Sequence, residues 1–324
     1  MKWRWLILLV MIGVLLAGVY GTAGALVYTT ATAATAQCLR GPAAWQNNTP
    51  AAFDAGGTLD VDLSPYTMPH YETVTLSSRE DGLTLAAWYI PAAETDAPAV
   101  IVVHGLNSCR RAPQPLYVAG MLHRAGFHVL IPDLRNHGDS TVSAGRMAGG
   151  IAEYRDVLGG WDWLVQTPGI APDRIGLLGL SLGAATVMIA GGEEAQVAAV
   201  WADSPYADIE KAILDELARN GYPPFLAPAG ILMGRVIDGV DITARSPLQA
   251  AIQMERRPLF VVHGDADTRL PVEHSLWLAE VLEQQGRSLE LWIAPGSGHL
   301  AAMFDYPQEY ESRLIDFFST HLND

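Results

Sequence analysis

Short apolar runs alternate with longer stretches of mixed polarity along most of this chain. Within each run, aliphatic residues occupy consecutive positions instead of every second one. Consecutive apolar positions are typical of strands buried on both faces of a parallel sheet. The runs are AVIVVHG (99–105), HVLIPDL (128–134), RIGLLGLS (174–181), VAAVWADS (197–204), PLFVVHGD (258–265) and LELWIAPG (289–296).

Helix-length segments separate these runs, and two further strands precede them. ETVTLSS and LTLAAWYI lie on either side of a turn signal at residues 80–82. Strands that alternate with helices predict a parallel α/β sheet with right-handed crossovers. The predicted helices cover 114–125, 151–166, 182–193, 272–285 and 306–321.

Residues 205–257 interrupt this alternation. The stretch contains KAILDELARN and YPPFLAPAGILMGRVI, which predict helices bounded by Pro and Gly. Because its apolar faces need a partner, we expect a cap over the edge of the sheet where the strands end. Some of its apolar side chains either line an acyl site or form the underside of a helix pair. These are Phe225, Leu226, Ile231, Leu232 and Met233.

The N-terminal segment, residues 1–28, differs from the rest of the chain. Lys2 and Arg4 precede an apolar run from Trp5 to Tyr28, which as a helix spans roughly 36 Å and is long enough to cross a bilayer. The segment is either an uncleaved anchor or a signal peptide cut near residues 34–36, and its length favours the anchor. The preceding positive charges predict a single-pass protein with its main domain outside the cytoplasm, or a secreted one if the segment is cleaved.

A linker and one globular domain are expected after this segment. Residues 29–69 are rich in Ala, Thr, Pro, Asn and Gly, and predict a linker that is partly ordered where residues 53–66 pack on the domain. Residues 70–324 then form the domain, including its cap. Two cysteines, Cys38 and Cys109, are too few for a disulfide scaffold, and whether they pair is left open.

Composition limits the partners. The 324 residues carry a net charge of −15, which argues against nucleic acid because phosphates would be repelled. Membrane contact is therefore expected through the N-terminal helix alone. No spacing of His and Asp suggests a complete metal site, and the His-Gly pairs at His104 and His263 predict hydrogen bonds to backbone carbonyls. We expect neither a metal nor an organic cofactor.

The segment LLGLSLGAAT places Ser181 between two glycines, after a buried strand and before small helix-forming residues. The pattern G-x-S-x-G in this context predicts a nucleophilic serine on a strained strand-to-helix turn. Glycines at both flanks avoid clashes where the helix approaches the strand. The turn also brings the Leu182 N–H and the positive end of the helix close to a developing oxyanion.

A serine hydroxyl needs a base that accepts its proton. His299 follows the last predicted strand and would lie at the same edge of the sheet. The carboxylate that orients the imidazole should come earlier in the chain, and the residues leave Asp265, Asp267 and Asp203 open, with Asp203 favoured as a helix cap. A second oxyanion donor is expected on the loop after strand VIVV, where the N–H of Leu106 follows His104 and Gly105.

Five segments in this order resemble the serine α/β-hydrolase superfamily. They are VIVVHGLNSCRR, IPDLRNHGDS, GLLGLSLGAAT, PLFVVHGDADTRLP and GSGH. More narrowly, the chain is similar to the membrane-anchored esterase, thioesterase and lysophospholipase-like branch, and to the catalytic domains of prolyl-oligopeptidase-type enzymes. The resemblance covers about residues 71–322. It implies an α/β-hydrolase fold, with a mostly parallel central sheet flanked by helices. The helical cap insertion and the N-terminal transmembrane helix are expected from the residues themselves.

The resemblance also implies roles for individual residues. Ser181 corresponds to the nucleophile, His299 to the base, Asp267 to the acid, and the N–H groups of Leu106 and Leu182 to the oxyanion hole. Asn136 stands where relatives often have glycine.

These features predict a serine hydrolase that cleaves a carboxylic ester or thioester through an acyl-enzyme, with a small or lipid-like acyl substrate. One alternative is a serine peptidase of prolyl-oligopeptidase-like type, which would need acidic residues on the cap or an extra domain to bind a free amino terminus. The other is a non-catalytic binding protein, which would have an incomplete triad. The physiological substrate and the acyl length are left open.

Overall fold

The computed structural model describes residues 2–34, 43–54 and 61–322. Its centre is an eight-stranded sheet in the order β1-β2-β4-β3-β5-β6-β7-β8. The strands are β1 Glu72–Ser77, β2 Thr84–Ile90, β3 Ala99–Val103, β4 His128–Pro132, β5 Ile175–Leu180, β6 Ala199–Asp203, β7 Leu259–Gly264 and β8 Glu290–Ala294. The pairs β1–β2 and β2–β4 are antiparallel, and all other neighbours run parallel. The predicted α/β-hydrolase fold with a mostly parallel sheet is confirmed.

The helices are α1 Lys2–Ala31, α2 Pro113–Arg124, α3 Tyr154–Gln166, α4 Leu182–Glu193, α5 Ile209–Arg219, α6 Leu226–Ile237, α7 Pro247–Gln253, α8 Glu273–Gln284, α9 Ala302–Asp305 and α10 Pro307–Leu322. Those other than α1, α5 and α6 cover the two faces of the sheet. The predicted helix over 306–321 is confirmed to within one residue as α10, and the short helix α9 before it was not predicted. Pro307 has no N–H and restricts Tyr306, so a short helix ends before the proline and a new one begins at it.

The core consists of two apolar layers separated by the sheet. Ile101 and Val103 of β3 belong to one layer, while Val100 and Val102 belong to the other. Successive side chains of a strand point to opposite faces. A strand that is covered on both faces therefore needs apolar residues at every position, which explains the uninterrupted runs in the sequence.

The cap is smaller than the predicted stretch 205–257. Helices α5 and α6 form it, whereas α7 packs beside α4 in the main domain. Ala250 and Ala251 of α7 are buried in the core, and a Cβ on Gly192 of α4 would lie only 2.8 Å from Ala250 Cα. Close backbone approach at Gly192 therefore places α7 in the helical layer of the sheet, and the predicted boundary at 257 is too late.

The N-terminal helix is continuous to Ala31, three residues beyond the predicted segment. Residues 3–31 form a helix that is long and apolar enough to cross a membrane. Most side chains before Tyr20 are exposed, whereas Gly24, Tyr28 and the following Thr32 are buried against the rest of the protein.

Parts of the predicted linker are also packed. Phe53, Leu63 and Met68 are buried in the apolar layer that contains α2 and α10. The question of a Cys38–Cys109 pair concerns a residue outside the described ranges.

Candidate active site

Ser181 lies between β5 and α4, on a backbone that few residues adopt. Its φ is 57° and its ψ is −116°, which is a strained combination for a residue with a Cβ. A Cβ on Gly179 would collide with the backbone of Gly183, and a Cβ on Gly183 would collide with Val103 O. Both flanking glycines are therefore required by the close packing of strand and helix, and the tight turn presents the Ser181 hydroxyl at the end of the sheet.

The structure brings the three predicted polar side chains together. His299 Nε2 lies 2.8 Å from Ser181 Oγ, and His299 Nδ1 lies 2.6 Å from Asp267 Oδ2. Both distances are those of direct hydrogen bonds. The residues come from three different loops, each following a strand of the parallel sheet: β5, β7 and β8.

Asp267 is held by its own loop. Its Oδ1 accepts hydrogen bonds from the N–H groups of Arg269 at 2.8 Å and Leu270 at 2.9 Å. Burial acts to raise its pKa, but hydrogen bonds with His263 and His299 outweigh this effect and hold the pKa well below its ordinary value. A carboxylate that stays ionised stabilises the imidazolium cation and selects the tautomer whose Nε2 faces the serine.

The other two candidate carboxylates have different partners. Asp265 Oδ1 accepts the N–H of Gly296 at 2.6 Å, in the turn after β8. Asp203 accepts the hydroxyls of Ser204 and Tyr310, both at 2.9 Å, and burial raises its pKa to about 6. The expectation that Asp203 caps a helix was wrong, because the N-cap of α5 is Asp208.

Asp203 supports the loop of His299 indirectly. Ser204 donates its hydroxyl to Asp203 and accepts the N–H of Leu300 at 3.3 Å. Ser204 and Leu300 both have positive φ, at 53° and 57°. Strained positions of this kind persist where surrounding contacts over-determine them, often around active sites.

The loop after β3 approaches the serine closely. A Cβ on Gly105 would lie 3.3 Å from Ser181 Cβ and 3.2 Å from Leu180 O. His104 accepts the Leu134 N–H at Nε2, at 3.0 Å, so its Nδ1–H donates to Gly105 O, at 2.8 Å. Because a trans peptide points its C=O and N–H in opposite directions, this bond also fixes the direction of the Leu106 N–H. Leu182 is the first residue of α4, where helical N–H groups have no partner within the helix.

His137 and the ion pair between Arg110 and Asp133 also hold the loop after β3. His137 Nε2 accepts the N–H of Asn107 at 3.3 Å. Arg110 is buried and forms an ion pair with the buried Asp133, and its backbone N–H donates to Asp133 Oδ1 at 2.7 Å. As expected, His104 and His263 bond to backbone carbonyls, those of Gly105 and Leu270.

Two clefts meet at Ser181. The first also contains His299, Asn107, Ser108, Gln114, Trp45 and Arg269, and is partly polar. The second is mostly apolar and encloses about 740 Å³, including space that is open to solvent. Besides Ser181, its lining includes Leu106, Leu182, Met147, Arg269, the α5 residues Ile209, Ala212, Ile213, Glu216 and Leu217, and Val27 and Ala31 of α1.

Sequence reasoning missed several of these lining residues. Of the apolar cap residues singled out in the sequence, Phe225 and Leu232 are exposed. Ile231 and Met233 pack against the apolar cluster that contains Leu182 and Ile209 of the cleft, but do not line the cleft themselves. Val27 was interpreted only as an anchor residue and Ala31 only as a linker residue, and nothing in the local sequence indicates a second role for either.

A hydroxyl, an imidazole and a carboxylate in series are the chemistry of serine hydrolases, and the strand order places this one in the α/β-hydrolase superfamily. The family model of the prolyl oligopeptidase family, Peptidase S9, matches residues 115–324, more than half of the chain. The chain therefore belongs to the prolyl oligopeptidase family.

The individual proteins to which this chain is similar share low sequence identity with it. The uncharacterized protein YfhR of Escherichia coli K12 is 25% identical over 260 residues, which cover 78% of this chain and 82% of YfhR. The Pyrococcus furiosus esterase Pf2001 has a similar structure, with a TM-score of 0.64 and 23% identity over 82% of this chain and 96% of the esterase. The Pyrococcus horikoshii acylaminoacyl peptidase gives a TM-score of 0.59 and 19% identity over 78% of this chain and 42% of the peptidase. Both structural likenesses concern the fold.

Proposed function

We propose that this serine hydrolase cleaves carboxylic esters or thioesters with an apolar acyl group. The observation that carries the proposal is the mostly apolar cleft that borders Ser181 on one side. An acyl chain in this cleft would lose its contact with water and gain about 0.8 kcal/mol per buried methylene. The partly polar cleft on the other side of Ser181 suits the leaving alcohol or thiol.

The proposed reaction proceeds through an acyl-enzyme. Ser181 Oγ attacks the carbonyl carbon while its proton moves to His299 Nε2, and the Leu106 and Leu182 N–H groups bind the oxyanion. The histidine then gives this proton to the leaving oxygen or sulfur as the bond to the acyl carbon breaks. Water, deprotonated by the same nitrogen, attacks the acyl-serine; the bond to Ser181 Oγ breaks, His299 returns the proton to that oxygen, and the acid is released. Asp267 keeps the imidazole oriented throughout.

Labelling and a substrate panel test this proposal. We expect a fluorophosphonate probe to label the wild type and not Ser181→Ala. We expect p-nitrophenyl esters to be hydrolysed much faster than aminoacyl-anilides. Absence of labelling in the wild type would indicate a binding protein that reuses the fold, and a preference for anilides would indicate a peptidase.

The peptidase alternative has one specific feature in its favour besides the family. Glu216 of cap helix α5 lines the apolar cleft, where a carboxylate would attract the amino group of a peptide. However, Glu216 already pairs with Arg219, with Arg219 Nε 3.1 Å from Glu216 Oε2. Because its charge is already compensated, we favour the ester substrates.

We also propose that α1 anchors the enzyme in a membrane with the hydrolase domain outside the cytoplasm. The exposed apolar residues in its first two thirds and the charges of Lys2 and Arg4 support this topology. Protease added to spheroplasts should digest the domain in the membrane fraction. A domain protected until the membrane is opened would mean the opposite orientation.

A further inference from the structure

The last turns of α1 contact the protein on two adjacent faces. Gly24 and Tyr28, one helical turn apart, lie against α6, where a Cβ on Gly24 would be 2.7 Å from Ala229 Cβ and a Cβ on Gly234 would be 3.0 Å from Tyr28 Cε2. Val27 and Ala31, also one turn apart, line the apolar cleft beside Ser181. Leu26, on a different face, is 68% exposed. This part of α1 is therefore a structural part of the cleft as well as the end of an apolar helix.

Several bonds tie the end of α1 to the domain. The Tyr28 hydroxyl donates to Asp238 Oδ2 at 2.7 Å, and the same carboxylate pairs with Arg146, whose Nε is 2.6 Å away. Beyond the helix, Ala34 N–H donates to Gly145 O at 3.0 Å, and Met147 N–H donates to Thr32 O at 2.7 Å. Hydrogen bonds from the last turn of α1 and from the chain just beyond it therefore fix the position of Val27 and Ala31.

Asn136 supports the loop that receives the helix. Its Oδ1 accepts the N–H groups of Ser143 at 2.8 Å and Gly145 at 3.0 Å, and its Nδ2 donates to Arg146 O at 2.9 Å. Its φ is 64°, a region where asparagine is tolerated better than most residues. An asparagine at this position therefore adds bonds that a glycine would not supply.

A second apolar cavity continues from the cleft along α1. It shares Val27, Ala31, Met147, Ile209 and Ile213 with the cleft. Ile209 and Ile213, one turn apart on α5, line both spaces together with Val27 and Ala31. These apolar side chains of α1 and α5 define a groove, which borders Ser181 where it joins the cleft.

We infer that Val27 and Ala31 of the N-terminal helix determine acyl-chain specificity, and that the acyl chain of the substrate lies in the groove between α1 and α5. This inference rests on the proposed ester or thioester hydrolysis. It assigns α1 a role in substrate selection in addition to anchoring, and it requires that the mature enzyme retains the helix. The substrate class is an ester or thioester of a medium or long linear fatty acid, whose chain would contact the apolar side chains of both helices.

Matched variants of adjacent residues test this inference in the full-length, detergent-solubilised protein. Val27→Phe fills the groove, Val27→Ala widens it, and Leu26→Phe adds the same ring on an exposed face. The measurement is the ratio of kcat/KM for p-nitrophenyl decanoate to that for p-nitrophenyl acetate, normalised to the fraction of protein that a fluorophosphonate labels. We expect the ratio to fall at least about tenfold in Val27→Phe. It should rise in Val27→Ala, because the wider groove favours longer or bulkier acyl groups. It should stay within about twofold of the wild-type value in Leu26→Phe.

The outcomes separate the two proposals. If both Val27 variants keep the wild-type ratio, or if Leu26→Phe changes the ratio as strongly as Val27→Phe, the role of α1 in specificity is overturned while ester hydrolysis stands. If Val27→Phe yields no labelled protein, Val27→Ala alone decides by the same criterion. If the wild type neither hydrolyses the esters nor takes the label, the proposed function itself fails, and the inference fails with it.

Discussion

At the scale of single residues, two carboxylates two positions apart have different environments. Asp267 reaches His299 and two backbone N–H groups, whereas Asp265 holds the turn at Gly296. Chemical type and sequence position are nearly the same, so only the direction of each side chain separates them. The contrast provides a matched pair of variants for the proposed mechanism.

We expect Asp267→Asn to lower kcat/KM for an ester by roughly 10³–10⁴-fold, because an amide favours the wrong imidazole tautomer and does not stabilise the cation. Asp265→Asn should change kcat/KM only a few-fold. Steady-state hydrolysis of a p-nitrophenyl ester measures both. A larger loss of kcat/KM in Asp265→Asn than in Asp267→Asn would show that Asp265, and not Asp267, is the acid of the site.

His104 is a positioning residue whose hydrogen bonds orient the Gly105–Leu106 peptide. Its removal should misalign one oxyanion donor, so we expect His104→Ala to lower kcat by up to about 10²-fold with little change in KM. His128→Ala is the matched control. His128, at the start of β4, is also buried, but its Nδ1 forms a hydrogen bond of 2.8 Å with the Tyr89 hydroxyl. Equal losses of kcat in the two variants would indicate a general loss of stability and no orienting role.

At the scale of elements, the contact between α1 and α6 decides where the cap sits. The two helices approach closely at Gly24, where a side chain would meet the backbone of Ala229. Helices with small residues at their crossing can bring their backbones into contact. The cap helix α6 is therefore held by a segment that the sequence separates from it by about two hundred residues.

Substitution at two glycines of α1 tests this contact. Gly21 has nothing within 4 Å of a Cβ position, whereas a Cβ on Gly24 would be 2.7 Å from Ala229 Cβ. Alanine favours a helix over glycine by roughly 0.5–1 kcal/mol, but overpacking costs about 1–3 kcal/mol. We therefore expect Gly21→Ala to raise or keep the thermal unfolding temperature in detergent and Gly24→Ala to lower it. The same shift in both variants would contradict the close contact.

At the scale of the whole molecule, the two-sided sheet buries several titratable groups. Burial lowers the pKa of His104 to about 3 and of His274 to about 4, and it lowers the pKa values of His123, His128 and His137 as well. Burial raises the pKa values of Asp203 and Asp133. The histidines are neutral in the folded protein over a range of pH in which the unfolded chain would bind protons.

Stability should therefore fall as the pH is lowered from 7 to 5. A histidine with a lowered folded pKa stabilises the fold fully above its unfolded value of about 6.5, and this contribution is lost as the pH falls toward the folded value. Asp203 and Asp133 act in the opposite direction, but the five histidines outnumber them. Urea unfolding at several pH values should show net proton uptake on unfolding. Constant or higher stability at pH 5 would contradict this balance.

Local patterns were sufficient for the strands, the serine turn and the chain order of the site residues. Hydrophobic runs indicate strands buried on both faces, and the two glycines around Ser181 indicate a crowded turn. Both features were predictable because they depend on residues close together in the sequence. Residues alone left three candidate acids, and the resemblance to a known family, not any local pattern, pointed to Asp267.

By itself, the sequence determined a serine on a strained turn, a mostly parallel sheet that is apolar at consecutive strand positions, and an N-terminal helix apolar enough for a bilayer. Only the tertiary structure decided which carboxylate faces His299, that α7 belongs to the main domain, and that Val27 and Ala31 border the nucleophile. The physical reason is that moving an apolar side chain out of water lowers the free energy whether lipid or protein then covers it. Composition therefore indicates that a surface avoids water, but not what covers that surface.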